Sequence, residues 1–127
     1  AGLFSTLYEV QALAQLLLRC LAGRSAFLRA ETVAAFIRRQ EVVPGSSRAL
    51  GWDTPSTGAT CGRHFSVRAF GHTGFTGTSI WIDPEDERFV VLLSNRVHPT
   101  RENNQFLQLR PQLHDLAMES MVQSAPI

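Results

Sequence analysis

The chain has 127 residues, 44% of them hydrophobic and 18% charged, which suits one soluble domain with a core of its own. A formal net charge of +1 argues against the dense cationic surface of a nucleic-acid binder or a polybasic membrane patch. All 12 basic residues are arginine, so chemistry that needs a lysine base has none within this chain.

Residues 5–22 read as an amphipathic helix. Thr6 and Glu9 have the spacing of a capping box, Val10, Leu13, Ala14, Leu17, Leu18 and Leu21 recur at helical period, and Gly23 is a suitable stop. A second helix is expected from about Arg29 to Gln40, with Val33, Phe36 and Ile37 on one face. Pro44-Gly45-Ser46-Ser47 is a turn cluster. Cys20 and Cys61 read as two separate buried thiols rather than a disulfide, because a core of this size needs no staple.

From residue 48 the pattern changes to strands. Ala49 to Trp52 is a short candidate, and Thr54 to Gly62 is loop-like. Phe65 to Phe70 alternates and reads as a strand ending at the glycine-punctuated run Phe70 to Ser79. Thr76 to Asp83 alternates again, Asp83-Pro84-Glu85-Asp86 is a strong turn, and Arg88 to Ser94 is an apolar run expected to be covered on both faces. Asn95 to Gln105 reads as a loop or a short irregular helix. Pro111 fits the first turn of a last helix, with Leu113, Leu116, Ala117 and Met121 as its apolar face. The division expected is a helical segment over 1–47, antiparallel strands over 48–95 and a loop with a final helix over 96–127, forming a single partial α+β domain.

Several chemistries fit poorly. No Gly-x-Ser-x-Gly elbow, Ser-x-x-Lys or Walker sequence occurs. The Gly71, Gly74 and Gly77 spacing leads into a strand, not a helix, so it offers no dipole to a phosphate. His64 and His72 lack an intervening carboxylate, and Glu85, Asp86 and Glu87 sit in a turn, so neither a metal nor a cofactor is expected. Taken alone, His72-Thr73-Gly74 is a short signal. Its setting raises it: a strand, a Trp81-Ile82-Asp83-Pro84 turn, an apolar strand, then Ser94-Asn95-Arg96.

These segments resemble the C-terminal portion of serine β-lactamase-like hydrolases, in the branch that holds class C β-lactamases, esterases and penicillin-binding proteins. The resemblance rests on His72 to Ser79, on Trp81-Ile82-Asp83-Pro84, on Leu92 to Pro99 and on Ala1-Gly2-Leu3-Phe4-Ser5-Thr6, and it runs through nearly the whole chain in order. It implies the C-terminal half of a β-lactamase/transpeptidase-like fold: an antiparallel meander flanked by helices. The family's Ser-x-x-Lys and Tyr-x-Asn motifs are not found here and would lie upstream of Ala1. Only the third motif is present, as His72-Thr73-Gly74.

By that resemblance His72 is a polar or positive group near the nucleophile, giving a substrate-anchoring charge that varies near neutrality. Thr73 bonds substrate, Gly74 lets substrate lie against the strand, and the Phe75 N–H is one oxyanion donor. Thr76 and Asn95 are implied as substrate-binding. The implied substrate is a small ester, amide or β-lactam, in a bacterial parent of the periplasm or cytoplasm. No membrane span is expected. The chain opens on Ala1, not methionine, and reads as processed, trimmed or a piece of something longer. Expected partners are the missing half or a second copy, with a non-catalytic self-associating module as the alternative. A third possibility, His72 acting on a local Ser66 or Ser79, has no activated setting in the sequence.

Overall fold

The computed structural model of the protein describes residues 3–58 and 60–123. The Ala1-Gly2 start of the first resembling segment lies outside them, as do Ala59 and residues 124–127. Helix α1 is Leu7–Leu21, α2 is Ala30–Ile37, strands β1, β2 and β3 are Phe70–Thr73, Ser79–Asp83 and Arg88–Leu92, and α3 is Gln105–Gln123. The architecture is α+β, with a three-stranded antiparallel sheet in the order β1-β2-β3.

The sheet carries helices on both faces. Phe70 and Ile82 point to one side and close a core with Ala14, Leu17, Leu18 and Cys20 of α1 and Val33 of α2, to which Ile80 and Phe89 add. Trp81 points the other way, into a second cluster with Cys61, Phe65, Ala69 and Met118 of α3, joined by Val90. The alternation of β2 across its two faces therefore assigns one helical layer to each. Both thiols are free and buried, one in each cluster, and burial pushes the Cys61 thiol up to about 11.

α1 begins as its sequence implies. The Glu9 N–H donates to Thr6 Oγ1 at 3.3 Å, and the Thr6 N–H donates to the Glu9 carboxylate at 2.9 Å. Those bonds hold Glu9 ionised and draw its pKa below the ordinary carboxylate value. Gly23 follows in the left-handed region at φ +68°.

Five expectations need correction. α2 stops at Ile37, because Arg38 is extended, Gln40 donates its N–H to Arg48, and the Arg39 side chain crosses to Thr54 and Pro55. Ala49 to Trp52 is a reverse turn, not a strand, and it sits between the bridged residues Arg48 and Asp53. Phe65 to Ala69 is also not a strand. Ser66 is turned inward by Asp83, which accepts both its N–H and its hydroxyl, so the strand starts only at Phe70. β2 begins at Ser79 rather than Thr76, since residues 74–77 form a turn. Finally, Pro111 lies inside α3 rather than in its first turn.

The buried face of α3 is also not the apolar one expected. Leu116 is exposed, while Arg110, His114, Asp115 and Met118 are buried. His114 and Asp115 are hydrogen-bonded, whereas the buried Arg110 Nε has no hydrogen-bond partner among the described residues. Arg110 lies over the Phe106 ring, His114 bonds Ser79 and Thr60, and Asp115 accepts from Arg63. β3 is half-buried along its whole length, with α1 and α3 each packed on it.

Gly71 is the tightest place in the sheet. Its missing side chain leaves room for the Trp81 ring and the Ile80 carbonyl, into which a methyl group would run. Gly71→Ala should cost about 1–3 kcal/mol, read as a lower urea midpoint. Thr6→Ala, which removes the cap, should cost about 1 kcal/mol.

Candidate active site

The site residues named from the sequence converge at one end of the sheet, where β1 runs into the turn before β2. The Gly77 N–H donates to the Gly74 carbonyl at 3.0 Å, and the Gly74 N–H donates to the Thr78 carbonyl at 2.7 Å. Gly74-Phe75-Thr76-Gly77 is therefore a β-turn closing a hairpin, and Gly77 takes φ +108°, open only to glycine. Phe75 and Thr76 occupy its two corners. Corner amides point away from the turn's own bond, and the Phe75 N–H has no partner among the described residues. The Phe75 ring is two-thirds exposed.

Arg96 holds this turn from outside. Its guanidinium donates to the Phe75 carbonyl at 2.9 Å and lies 4.9 Å from the centre of the Phe75 ring. Its backbone N–H donates to the Thr76 carbonyl at 2.8 Å, and it also reaches the Arg101 carbonyl at 3.2 Å. Asn95, next to it, is exposed and turns its Oδ1 to the Val97 N–H, which braces the loop. Sequence reading quoted Arg96 only as part of the Ser94-Asn95-Arg96 segment and gave it no role, because a charged residue in a loop carries no periodic signal. Its position directly after Asn95 was the one available clue.

His72 is exposed on β1. Its Nδ1 lies 2.9 Å from the Thr73 carbonyl, and its Nε2 lies 3.1 Å from Arg48 Nη1. Arg48 was also missed, because its place depends on a long-range pairing: Asp53 bridges both Arg48 and Gly71. Gly71 and Asp53 exchange two backbone hydrogen bonds of 2.9 and 2.7 Å. Thr73, two residues after Gly71, presents its backbone to that same edge.

The two local serines are not beside His72. Ser66 is bound to Asp83. Ser79 bonds a different histidine, His114, at 3.0 Å, and His114 Nδ1 faces the Thr60 carbonyl at 2.9 Å. A carbonyl only accepts, so Nδ1 carries the proton and Nε2 accepts the serine hydroxyl. Ser79 and His114 are both buried, and the pair ties α3 to β2. His64 pairs with Glu119 at 2.9 Å. Among the described residues no three His, Cys, Asp or Glu side chains gather as a metal site, and no helix is long and apolar enough to cross a membrane.

β1 thus runs through His72 and Thr73 into the Gly74 turn with its free Phe75 amide. The family model described as Beta-lactamase matches residues 1–112. The chain belongs to the beta-lactamase family. It is similar to proteins named "Putative D-alanyl-D-alanine carboxypeptidase" from Salmonella agona (strain SL483) and Salmonella newport (strain SL254), each 36% identical over 102 residues. Those matches cover 77% of this chain and 23% of the relative, so the chain spans about a quarter of the length of these curated relatives. A crystal structure of a beta-lactamase from Mycobacterium bovis superposes with a TM-score of 0.72 at 24% identity, over 91% of this chain and 44% of that one. The fold is therefore that of part of a beta-lactamase-like protein.

Burial of His114 pulls its pKa below the ordinary 6.5, and the nearby Arg110 charge adds to this, against the Thr60 bond that raises it. The unfolded chain takes up that proton first, so the stability His114 contributes is full above about pH 6.5. It is lost as pH falls from there to the folded pKa. Urea midpoints measured across this interval should drop with acid, and His114→Gln should flatten the part of the slope that His114 causes.

Proposed function

We propose that this chain forms one wall of the active site of a serine hydrolase working through an acyl-enzyme, of esterase, β-lactamase or D,D-peptidase type. In this reading the nucleophilic serine, its lysine and the Tyr-x-Asn relay come from sequence outside these 127 residues. The absence of lysine and the partial coverage of the relatives support this, and the chain alone is then inactive. The observation that carries the reading is the unpartnered Phe75 N–H at the turn corner, three residues beyond His72.

The proposed chemistry is the one that the family resemblance implies for these positions. A serine oxygen attacks the substrate carbonyl carbon, and the carbonyl oxygen becomes an oxyanion. That oxyanion accepts hydrogen bonds from the Phe75 N–H and from the nucleophile's own N–H. Collapse expels the alcohol, amine or lactam nitrogen, which takes up the proton that the serine hydroxyl gave to the lysine on attack, and leaves an ester on the serine, which water then hydrolyses. Thr73 and the outer edge of β1 line the substrate, with Gly74 admitting it closely, and Thr76 and Asn95 border it. No cofactor is required by this sequence of steps. The name borne by the Salmonella relatives makes a peptide ending in D-alanyl-D-alanine one candidate substrate, beside simple esters and β-lactams.

Arg96 has a positioning part in this scheme, since it fixes the carbonyl on one side of Phe75 while the donor N–H lies on the other. A fluorophosphonate or a fluorescent penicillin should leave this chain unlabelled, whereas stoichiometric serine labelling would overturn the proposal. In a longer protein that carries this segment, one serine should be acylated. Phe75→Pro deletes the N–H at a corner that proline suits, and it should slow acylation about 100- to 1,000-fold.

The alternative is a non-catalytic module that associates with itself. Two observations favour it: among the described residues β3 has a single neighbour in the sheet, and Leu3, Phe4 and Tyr8 are open to solvent. Either the rest of the hydrolase fold or a second copy would cover such surface. Light scattering separates these: a concentration-dependent dimer is expected for the module. A monomer that binds no apolar dye would count against both kinds of partner.

A further inference from the structure

We propose that a groove at the start of β1 binds a carboxylate-headed alkyl chain, a fatty acid in chemical class, with the carboxylate held by Arg38, Arg39 and Arg68. This site goes beyond the hydrolase reading and does not depend on it. Its lining ends at Ala69, just before β1 begins, so about 13 Å of strand separates it from Thr73 and the Gly74 turn.

The groove has a volume of about 490 Å³, which suits a small-molecule site. Leu21, Ala34 and Ile37, at the C-terminal ends of α1 and α2, form one wall, and Pro55 and Val67 belong to the other. Leu21, Ala34 and Arg68 also border a second trough of about 340 Å³, which continues past Leu18 and Ala22 to Pro84. The two make an apolar path that begins among arginines.

The charges give that path a direction. Arg38, Arg39 and Arg68 line the first groove, and no acidic residue does. Among the described residues none of the three forms an ion pair. Arg39 is fixed in place: its Nε donates to Thr54 Oγ1 at 3.0 Å and its Nη2 to the Pro55 carbonyl at 2.5 Å. Thr54 Oγ1 is free to accept because its own proton goes to the Ser47 carbonyl at 2.7 Å. Arg38 and Arg68 are exposed, and only their backbones take part in hydrogen bonds, so their donor forks are open to a planar carboxylate. Three guanidiniums around one concavity repel each other and focus a positive potential there, which a bound anion relieves. The far trough instead carries Glu31 and Glu87, the latter paired with Arg24 at 2.6 Å. That end disfavours an anion, so the head lies among the arginines and the tail runs toward Pro84.

Titration calorimetry of this chain with decanoate, butyrate and decanol tests the proposal. Decanoate should bind saturably at one site. Butyrate lacks most of the tail and should bind at least about 100-fold more weakly. Decanol lacks the charge and should bind about tenfold more weakly. Replacing both exposed arginines, Arg38→Gln with Arg68→Gln, breaks no hydrogen bond of the fold and should weaken decanoate about tenfold. Ala34→Leu narrows the path at an exposed helical position and should also weaken decanoate, with the urea midpoint unchanged. No saturable binding, equal binding of decanoate and decanol, or indifference to the double replacement overturns the arginine head site. Equal binding of butyrate, or indifference to Ala34→Leu, overturns the tail path. Decanoate that binds this chain but not a longer protein carrying the segment would give the groove to another part of that protein, and the fatty-acid assignment would fall.

Discussion

The close approach made possible by Gly71 is the constraint on which the rest of this end of the molecule depends. With no side chain, Gly71 lets the Trp81 ring lie against it on one face, while its N–H and carbonyl pair outward with Asp53. The first contact seats β1 on β2 and anchors the α3 layer through Trp81. The second brings in a distant segment, residues 48–53, and so sets Arg48 beside His72. Packing and site geometry thus share a single residue, and the glycine is needed for volume rather than for an unusual φ.

Much of this was legible in the sequence where the signal is local. The capping box at Thr6 and Glu9, the stop at Gly23, the Asp83 to Asp86 turn and the α+β order all follow from spacing and turn chemistry over a few residues. The His72-Thr73-Gly74 strand end and its family were legible too, because several separated segments agree.

What was not legible depends on partners distant in sequence. Phe65 to Phe70 alternates like a strand, yet the Asp83 carboxylate captures Ser66 and bends the chain before pairing begins. On α3 a count of apolar residues selects Leu113 and Leu116, but the buried stripe runs through Arg110, His114 and Met118. Hydrophobic periodicity assumes that polar residues stay in water. Here His114 finds Ser79 and Thr60, and a buried polar group with both ring nitrogens bonded is far cheaper than one left bare. Pro111 was placed by the rule that proline opens helices. The helix starts six residues earlier because Asn103 and Asn104 receive the first free amides, through Gln105 N to Asn103 Oδ1 and Leu107 N to the Asn104 carbonyl.

The two histidine environments show how one residue type serves opposite ends. His114 and His72 each have Nδ1 beside a backbone carbonyl, so each is set as the same tautomer. At His114 the Nε2 faces a buried serine hydroxyl, which makes a Ser–His pair of the kind that activates nucleophiles. Both residues are buried, and the pair joins α3 to β2. At His72 the Nε2 faces an exposed arginine, on the strand that borders the free Phe75 amide. A short Ser–His distance alone therefore does not mark a reactive site in this fold. Exposure and the group opposite Nε2 are what distinguish the two histidines, and both are set by which layer of the sheet each side chain enters.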